Sequence, residues 1–173
     1  MISQGTFGMP ELIFDNCVLS NFALSGSLEV IRTLYANTAY LTDFVAAENM
    51  RGIAQGHDGL VAIRQALMDG WIKELILKGK AEKRLFESLS ISLGLGEASS
   101  MALAKTRNLV FACDDRMARK ESELLEIKLT GTVGILAKAV RSKAVNGAKA
   151  DEILKIMIRH GFYSPVASIR ELL

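Results

Sequence analysis

The sequence predicts a single α/β domain built around a parallel sheet. Short apolar runs alternate along the chain with segments whose apolar residues recur at helical spacing, which is typical of strand–helix–strand units. The 173 residues are enough for one hydrophobic core and short for two. Half of the residues are hydrophobic and 23% are charged, a composition that excludes a disordered chain.

The apolar runs predict four or five strands, and their continuous hydrophobicity is typical of strands that are buried on both faces. The first strand begins near Glu11 and contains Leu12, Ile13 and Phe14. The remaining runs lie, in chain order, near residues 39–41, 71–77, 109–113 and 127–130. Because helical segments separate them, we expect parallel strands joined by right-handed crossovers.

Helical segments fill the intervals between these strands. Ser27 and Thr42 are expected to cap two of the helices, and Gly56 is expected to end one. The predicted helices cover about residues 17–25, 27–35, 43–55, 58–69, 80–91, 97–107, 115–126, 132–145, 150–160 and 164–172. Residues 1–9 show no periodicity, so we predict an N-terminal extension followed by one domain over residues 10–173.

Charge and cysteine content restrict the functional classes only weakly. The net charge of +2 neither demands nor excludes a nucleic-acid partner. No apolar run approaches the ~18 residues that a membrane span requires. Cys17 and Cys113 have no CxxC spacing, and no signal peptide is visible, so we expect reduced thiols and a cytoplasmic location. Packing as small apolar side chains is favoured for both, with a disulfide or zinc ligation as the alternatives.

Acidic residues at the ends of two strands are the strongest functional signal. Asp15 follows the first strand, and the doublet Asp114–Asp115 follows the run at 109–113. Glu97 begins a predicted helix and Glu48 lies within another. Capping or solvation would explain each acid alone. Together at the carboxyl edge of a parallel sheet they would repel one another unless a cation held them. Mg²⁺ or Mn²⁺ suits such oxygen ligands, so we predict metal-dependent phosphodiester chemistry.

Basic residues near these acids are candidates for contacts with phosphate. Arg116 and Arg119 follow the doublet at the start of a helix, and we predict that they hold the phosphates of a nucleic-acid backbone. A second basic run, more distant in sequence from the doublet, consists of Lys78, Lys80, Lys83 and Arg84. A solvated surface is the alternative for both groups.

Other known motifs are absent or incomplete. Gly94-Leu95-Gly96 imitates a dinucleotide fingerprint, but Ser99 stands where its third glycine would be. The chain contains no Walker motif, HExxH or G-x-S-x-G. His57 and His160 lie at polar helix ends and are expected to be solvated.

Several segments resemble the PIN-domain family, in particular the VapC-like ribonuclease toxins. The similarity covers nearly the whole chain from about Pro10 and includes a GEA motif and a DDRxAR motif. Cys17 stands where the family often has Ser or Thr, and Thr42 stands where a Pro is usual. The similar segments are residues 12–15, 43–48, 96–104, 113–119, 129–136 and 161–164.

This resemblance implies the strand order 3-2-1-4-5 and hydrolysis of RNA phosphodiesters. It implies that one or two Mg²⁺ or Mn²⁺ ions are held by Asp15, Glu97 and either Asp114 or Asp115. Glu48 would act directly or through water. It also implies a homodimer and an inhibitory antitoxin protein.

Two other functions are compatible with the sequence. Cys17 and Glu97 depart from the commonest family pattern and would suit a PIN-like domain without strong catalysis, acting as an RNA-binding or protein-interaction module. A phosphotransfer domain with Asp15 as nucleophile is disfavoured, because Asn16 and Cys17 follow it rather than a second Asp two residues on.

Overall fold

The computed structural model describes residues 10–173, so the predicted extension at residues 1–9 lies outside the described residues. The strands are β1 (Leu12–Phe14), β2 (Ala39–Thr42), β3 (Ile72–Leu75), β4 (Val110–Ala112) and β5 (Leu129–Thr130). The α-helices are α1 (Asn16–Leu24), α2 (Leu28–Tyr35), α3 (Asp43–Ala54), α4 (Val61–Met68), α5 (Lys80–Leu89), α6 (Leu95–Arg107), α7 (Arg116–Leu124), α8 (Thr132–Arg141) and α9 (Gly147–Arg159). Short 3₁₀ turns occupy Asp58–Leu60 and Ile169–Leu172.

The strands form one parallel sheet in the order β3-β2-β1-β4-β5, which confirms the predicted fold class and strand order. Leu12 of the central strand β1 pairs with Ala39 on one side and with Val110 on the other. The strand order reverses at β1, so the crevice at its carboxyl end lies between β1 and β4. This is the place where open α/β folds commonly bind ligands.

Helices cover both faces of the sheet, as the continuous apolar strands require. Leu12 and Phe14 point into a core shared with α1, α2, α3, α4, α8 and α9. Ile13 points the other way, into a core shared with α5, α6 and α7. The alternation along β1 therefore places one buried layer on each side of the sheet.

Helix boundaries agree with the prediction in most places, and one predicted N-cap differs. Thr42 caps α3 as expected, since its hydroxyl accepts a hydrogen bond from the Val45 backbone N–H at 3.2 Å. Ser27 stands at the N-cap of α2, but its side chain makes no capping bond. Its hydroxyl instead lies 3.3 Å from the Phe22 carbonyl and 2.7 Å from the Ser25 hydroxyl.

The predicted C-terminal helix over residues 164–172 is wrong, because only Ile169–Leu172 form a 3₁₀ turn. The Asp151 carboxylate in α9 accepts hydrogen bonds from the Ser168 hydroxyl and from the Ile169 backbone N–H, the latter at 2.7 Å. These contacts tie the tail to α9, and Pro165 cannot donate a backbone bond inside a helix. Within residues 10–173, no helix combines the length and the hydrophobicity needed to cross a membrane.

Candidate active site

The predicted acids converge at the carboxyl edge of the sheet. Asp15 and Asp114 follow the neighbouring strands β1 and β4, and Asp115 caps α7. Glu97 lies in the first turn of α6, and together these four acids line an open pocket of about 340 Å³. Glu48 approaches from α3 behind the first turn of α6. Asp15 and the doublet Asp114–Asp115 therefore lie together, as expected for residues that follow neighbouring parallel strands.

Asp15 is the most buried of these acids, with only 5% of its surface exposed. Its Oδ2 accepts a hydrogen bond from the Cys17 thiol at 2.8 Å and a longer one from the Cys17 backbone N–H at 3.4 Å. Burial raises the pKa of Asp15, and the negative charge of Asp114 raises it further, although the Cys17 hydrogen bonds oppose the shift. Keeping the buried Asp15 ionised without a nearby cation therefore costs free energy.

Glu48 is positioned by a close approach to the backbone of α6. Its Oε1 accepts a hydrogen bond from the Gly96 backbone N–H at 3.2 Å. A Cβ at position 96 would lie 2.6 Å from the same oxygen, so only glycine leaves room for this contact. Burial raises the pKa of Glu48, and the charge of Asp15 adds to the effect.

Glu97 shows the clearest sign of crowded negative charge. Burial raises its pKa to about 7, and the charges of Asp15, Asp115 and Glu48 all act in the same direction. Its Oε2 accepts a hydrogen bond from the Gly94 backbone N–H at 3.2 Å, which opposes the shift and orients the side chain. A helix-capping role thus accounts for one contact of Glu97 and leaves its raised pKa unexplained.

Asp114 is fixed by the start of α8. Its Oδ1 accepts a hydrogen bond from the Thr132 backbone N–H at 2.9 Å. Its Oδ2 accepts from the Thr132 hydroxyl at 2.5 Å and from the Asn21 side-chain amide at 3.2 Å. A Cβ at Gly131 would come within 2.6 Å of Oδ1, so glycine is needed at this turn as well.

Asp115 is exposed and caps α7 by accepting a hydrogen bond from the Ala118 backbone N–H on Oδ1 at 2.9 Å. Within residues 10–173, no group donates to its Oδ2. The negative charge of Asp114 raises the pKa of Asp15, whereas that of Asp115 raises the pKa of Glu97. Both residues of the doublet border the pocket, and each remains a candidate metal ligand.

Across residues 10–173, none of the five acids forms a salt bridge. Arg51 is near enough to lower the pKa of Glu48, but its effect is smaller than the causes that raise it. Carboxylates that repel one another beside a solvent-filled pocket are the donor set that a hard divalent cation prefers. The chemistry of these oxygen donors therefore suits a Mg²⁺ or Mn²⁺ ion.

A wider groove of about 850 Å³ lies beside the acidic pocket. The two share Asp114, Phe162 and Tyr163 in their walls. The groove is lined by the cationic side chains Arg116, Arg119 and Lys120, by the acids Asp114 and Glu123, and by several apolar residues. Three basic side chains therefore face two acidic ones in a groove that adjoins the acidic pocket.

The two arginines predicted to bind RNA occupy different positions in this groove. Arg116 is exposed at the start of α7. Arg119 is half-buried, and its Nη1 donates to the carbonyls of Cys113 at 2.8 Å and Thr130 at 3.1 Å. Arg119 thus joins the ends of β4 and β5, so its side chain has a structural task as well. The basic run in and before α5 borders neither the pocket nor the groove.

Sequence reasoning assigned no role to several residues of the site. Asn21 donates to Asp114 and also to the Thr132 hydroxyl, and it is 111 positions from Thr132 in the sequence. The Tyr163 ring is 94% exposed at the shared wall. The segment 161–164 was part of the family resemblance and was the one available signal for Tyr163. His57 and His160 are exposed, as expected.

A family model described as a PIN domain matches residues 11–173. This chain therefore belongs to the PIN-domain family, whose members are generally nucleases that use divalent metals. No curated protein matches the sequence. The family assignment agrees with the sheet order and with the carboxylates gathered at its carboxyl edge.

Proposed function

We propose that this protein is a Mg²⁺- or Mn²⁺-dependent endoribonuclease whose metal is held by Asp15, Glu97 and Asp114 or Asp115. Glu48 would assist directly or through water. The observation that carries the proposal is Asp15 itself, a carboxylate with 5% exposure that has no cationic partner among the described residues. Its burial is costly unless a cation occupies the adjoining pocket.

The bound ion would supply an activated water and offset the charge that builds on the phosphate. The side chains of the chain itself orient the substrate. Arg116 and Arg119, the two predicted contacts, line the groove together with Lys120 and would hold phosphates of the RNA backbone. Asn21 and Thr132 keep Asp114 in one orientation through hydrogen bonds. No histidine lies in the pocket, and none is needed as a base.

The shape of the site favours a single-stranded substrate. Tyr163 presents an almost fully exposed ring between the basic groove and the acidic pocket. Exposed aromatic rings beside cationic grooves stack unpaired bases, and each such contact stabilises binding by about 1–3 kcal/mol. We therefore propose that a base of unpaired RNA stacks on Tyr163 while its phosphate reaches the carboxylates.

The biological setting follows from the family resemblance alone. A VapC-like toxin role, an inhibitory antitoxin partner, a homodimer and a cytoplasmic location remain predictions. The second candidate function is a PIN-like domain that binds RNA or protein without cleaving. One contact favours it, because the Cys17 thiol donates to the Asp15 oxygen that a metal would need.

The deciding experiment measures cleavage of a panel of structured RNAs with Mg²⁺ or Mn²⁺, with EDTA as a control. Wild type should cleave within unpaired loops, and Asp15→Asn should lose at least about 100-fold in rate while staying folded. Asp69→Asn, an exposed acid at the end of α4, is the matched control and should cleave like wild type. Equal cleavage by Asp15→Asn, or none by wild type, would favour the binding module.

A further inference from the structure

Two sulfur atoms lie beside the most buried carboxylate of the site. The Cys17 Sγ is 2.8 Å from the Asp15 Oδ2, and the Cys113 Sγ is 4.0 Å from the same oxygen. One carboxylate oxygen and the two sulfurs all lie within 4.8 Å of one another. Both cysteines are free thiols.

These atoms come from two neighbouring elements. Cys17 lies in the first turn of α1 and lines the acidic pocket. Cys113 follows β4, is fully buried and packs with Ile13 and Phe111. Apolar packing therefore explains the burial of Cys113. It does not explain why the Cys17 sulfur is directed at a carboxylate on the pocket wall.

Sulfur selects a different class of cation from the oxygen ligands around it. Mg²⁺ and Mn²⁺ prefer oxygen, whereas Zn²⁺ and related ions bind thiolates. Zn–S bonds of about 2.3 Å and Zn–O bonds of about 2.0–2.2 Å in a tetrahedral site separate ligand atoms by roughly 3.5–3.8 Å. The two distances from the Asp15 Oδ2 to the sulfurs, 2.8 Å and 4.0 Å, lie on either side of this range. An ion would therefore move the thiols by only about 1 Å or less relative to that oxygen. The open pocket leaves the fourth position to water.

We propose that Asp15, Cys17 and Cys113 form a site for one thiophilic cation such as Zn²⁺. Its binding releases the two thiol protons to solvent and joins both sulfurs and one carboxylate oxygen to the ion. The site shares Asp15 with the oxygen-lined metal centre, so the two kinds of ion compete. That competition, which makes Zn²⁺ an inhibitor of cleavage, rests on the proposed function, whereas the binding of the ion does not.

The binding test uses Co²⁺ as a spectroscopic substitute for Zn²⁺ in the reduced, untagged full chain. One equivalent of Co²⁺ should produce a thiolate-to-cobalt charge-transfer band, and one equivalent of Zn²⁺ should remove it. Cys17→Ser and Cys113→Ala should each abolish the band, since the chain contains two cysteines and both are needed. The double variant His57→Ala/His160→Ala is the matched control and should keep the band.

The absence of a band in reduced wild type would overturn the proposal, and so would its survival in both cysteine variants or its loss in the histidine control. Circular dichroism checks that the variants are folded. The wild-type titration decides the matter even if Cys113→Ala fails to fold. Thiol counting before the titration shows that no disulfide has formed between the two cysteines.

The competition test adds one equivalent of Zn²⁺ to the RNA cleavage assay under excess Mn²⁺. Wild type should lose most of its rate, and Cys17→Ser should resist Zn²⁺ at least about tenfold better, as expected when a thiolate ligand is lost. Equal inhibition of both proteins would contradict the shared use of Asp15. If wild type cleaves no RNA, the proposed nuclease function fails, and the cobalt titration still decides whether the thiolate site exists.

Discussion

The surroundings of two carboxylates in this molecule, Glu82 and Asp15, shift their pKa values in opposite directions. Glu82 in α5 is 8% exposed, and its Oε1 pairs with Nε of Arg107 at 2.8 Å. Its Oε2 accepts hydrogen bonds from the backbone N–H groups of Lys78 and Gly79. The pKa of Glu82 is lowered to about 2, chiefly by the Arg107 hydrogen bond. Asp15 is 5% exposed but faces other acids, and burial raises its pKa.

The difference is the one expected between an acid that stabilises the fold and an acid of a metal site. Every oxygen of Glu82 has a donor, so its charge stabilises the packing of α5 on α6. The acids around Asp15 raise one another's pKa values, so the fold tolerates them at a cost in stability. Perturbation towards the neutral form beside an open pocket is typical of a functional site. A bound cation would remove this cost.

The largest effect on stability is expected for Glu82→Gln. The substitution removes the charge that pairs with Arg107 and places an amide NH₂ against the backbone N–H groups of Lys78 and Gly79, or against Arg107 itself. We expect a loss of about 2 kcal/mol in the free energy of unfolding. Mn²⁺ affinity should not change, because Glu82 does not line the acidic pocket. Urea denaturation and Mn²⁺ calorimetry measure the two quantities. Glu87→Gln, an exposed glutamate on the same helix, is the control. An unchanged stability would contradict the structural role of Glu82.

The next largest effect on stability should distinguish Asp114 from Asp115. Asp114→Asn places an amide among donors from Thr132 and Asn21, so we expect a loss of about 1–2 kcal/mol. Asp115→Asn keeps an effective N-cap on α7 and should change stability by less than about 0.5 kcal/mol. Thermal unfolding without metal measures both. Equal losses would mean that the Asp114 hydrogen bonds do not stabilise the fold.

A smaller effect concerns pH. The folded pKa of Glu97 is raised to about 7, so the folded state holds its proton more tightly than the unfolded state. Its contribution to stability is therefore full below the unfolded pKa and is lost as pH rises through about 7. Glu97→Gln lacks this loss. As pH rises from 4 to 8, the free energy of unfolding of the variant should therefore increase by about 1 kcal/mol relative to that of wild type, a value discounted for partial exposure.

Urea denaturation in EDTA at several pH values between 4 and 8 measures this gap. Glu82 contributes a pH dependence of the opposite sign. Because its pKa is lowered, its contribution to stability is lost only as pH falls through about 2. A gap between wild type and Glu97→Gln that does not depend on pH would contradict the raised pKa of Glu97.

The smallest stability effect is expected at Gly96. Gly96→Ala brings a Cβ to 2.6 Å from Glu48 Oε1 and must displace that carboxylate, while alanine favours the helix. We expect stability to change by a few tenths of a kcal/mol and Mn²⁺ affinity to fall. Gly94→Ala is the matched control, since its Cβ would make only ordinary contact with Glu97 at 3.6 Å. Calorimetry that finds equal Mn²⁺ affinity in both variants would argue against a role for Glu48.

The sequence was sufficient to predict the sheet and the positions of its acids. Asp15 and Asp114 were identified because each follows a continuous apolar run, and parallel topology brings such strand ends together. The strand order itself came from the family resemblance, since periodicity does not determine which strands are neighbours. The structure confirms both.

The residues that sequence reasoning did not find act through tertiary contacts. Asn21 reaches Asp114 across 93 positions and Thr132 across 111. No local pattern encodes such pairs. The tail was mispredicted for the same reason, because hydrogen bonds to Asp151 in α9 set its conformation in place of helical periodicity.

If the acids around Asp15 form a divalent-cation site, the thermal stability of the protein should depend on Mn²⁺. A Mn²⁺ titration followed by thermal unfolding measures this dependence. Wild type should gain stability as Mn²⁺ rises, by about 2.7 kcal/mol at a hundredfold excess over Kd. Asp15→Asn should be more stable than wild type without metal, since asparagine can still cap α1, and should gain nothing from Mn²⁺. Wild type that does not respond to Mn²⁺, or an Asp15→Asn variant that gains as much as wild type, would contradict the account.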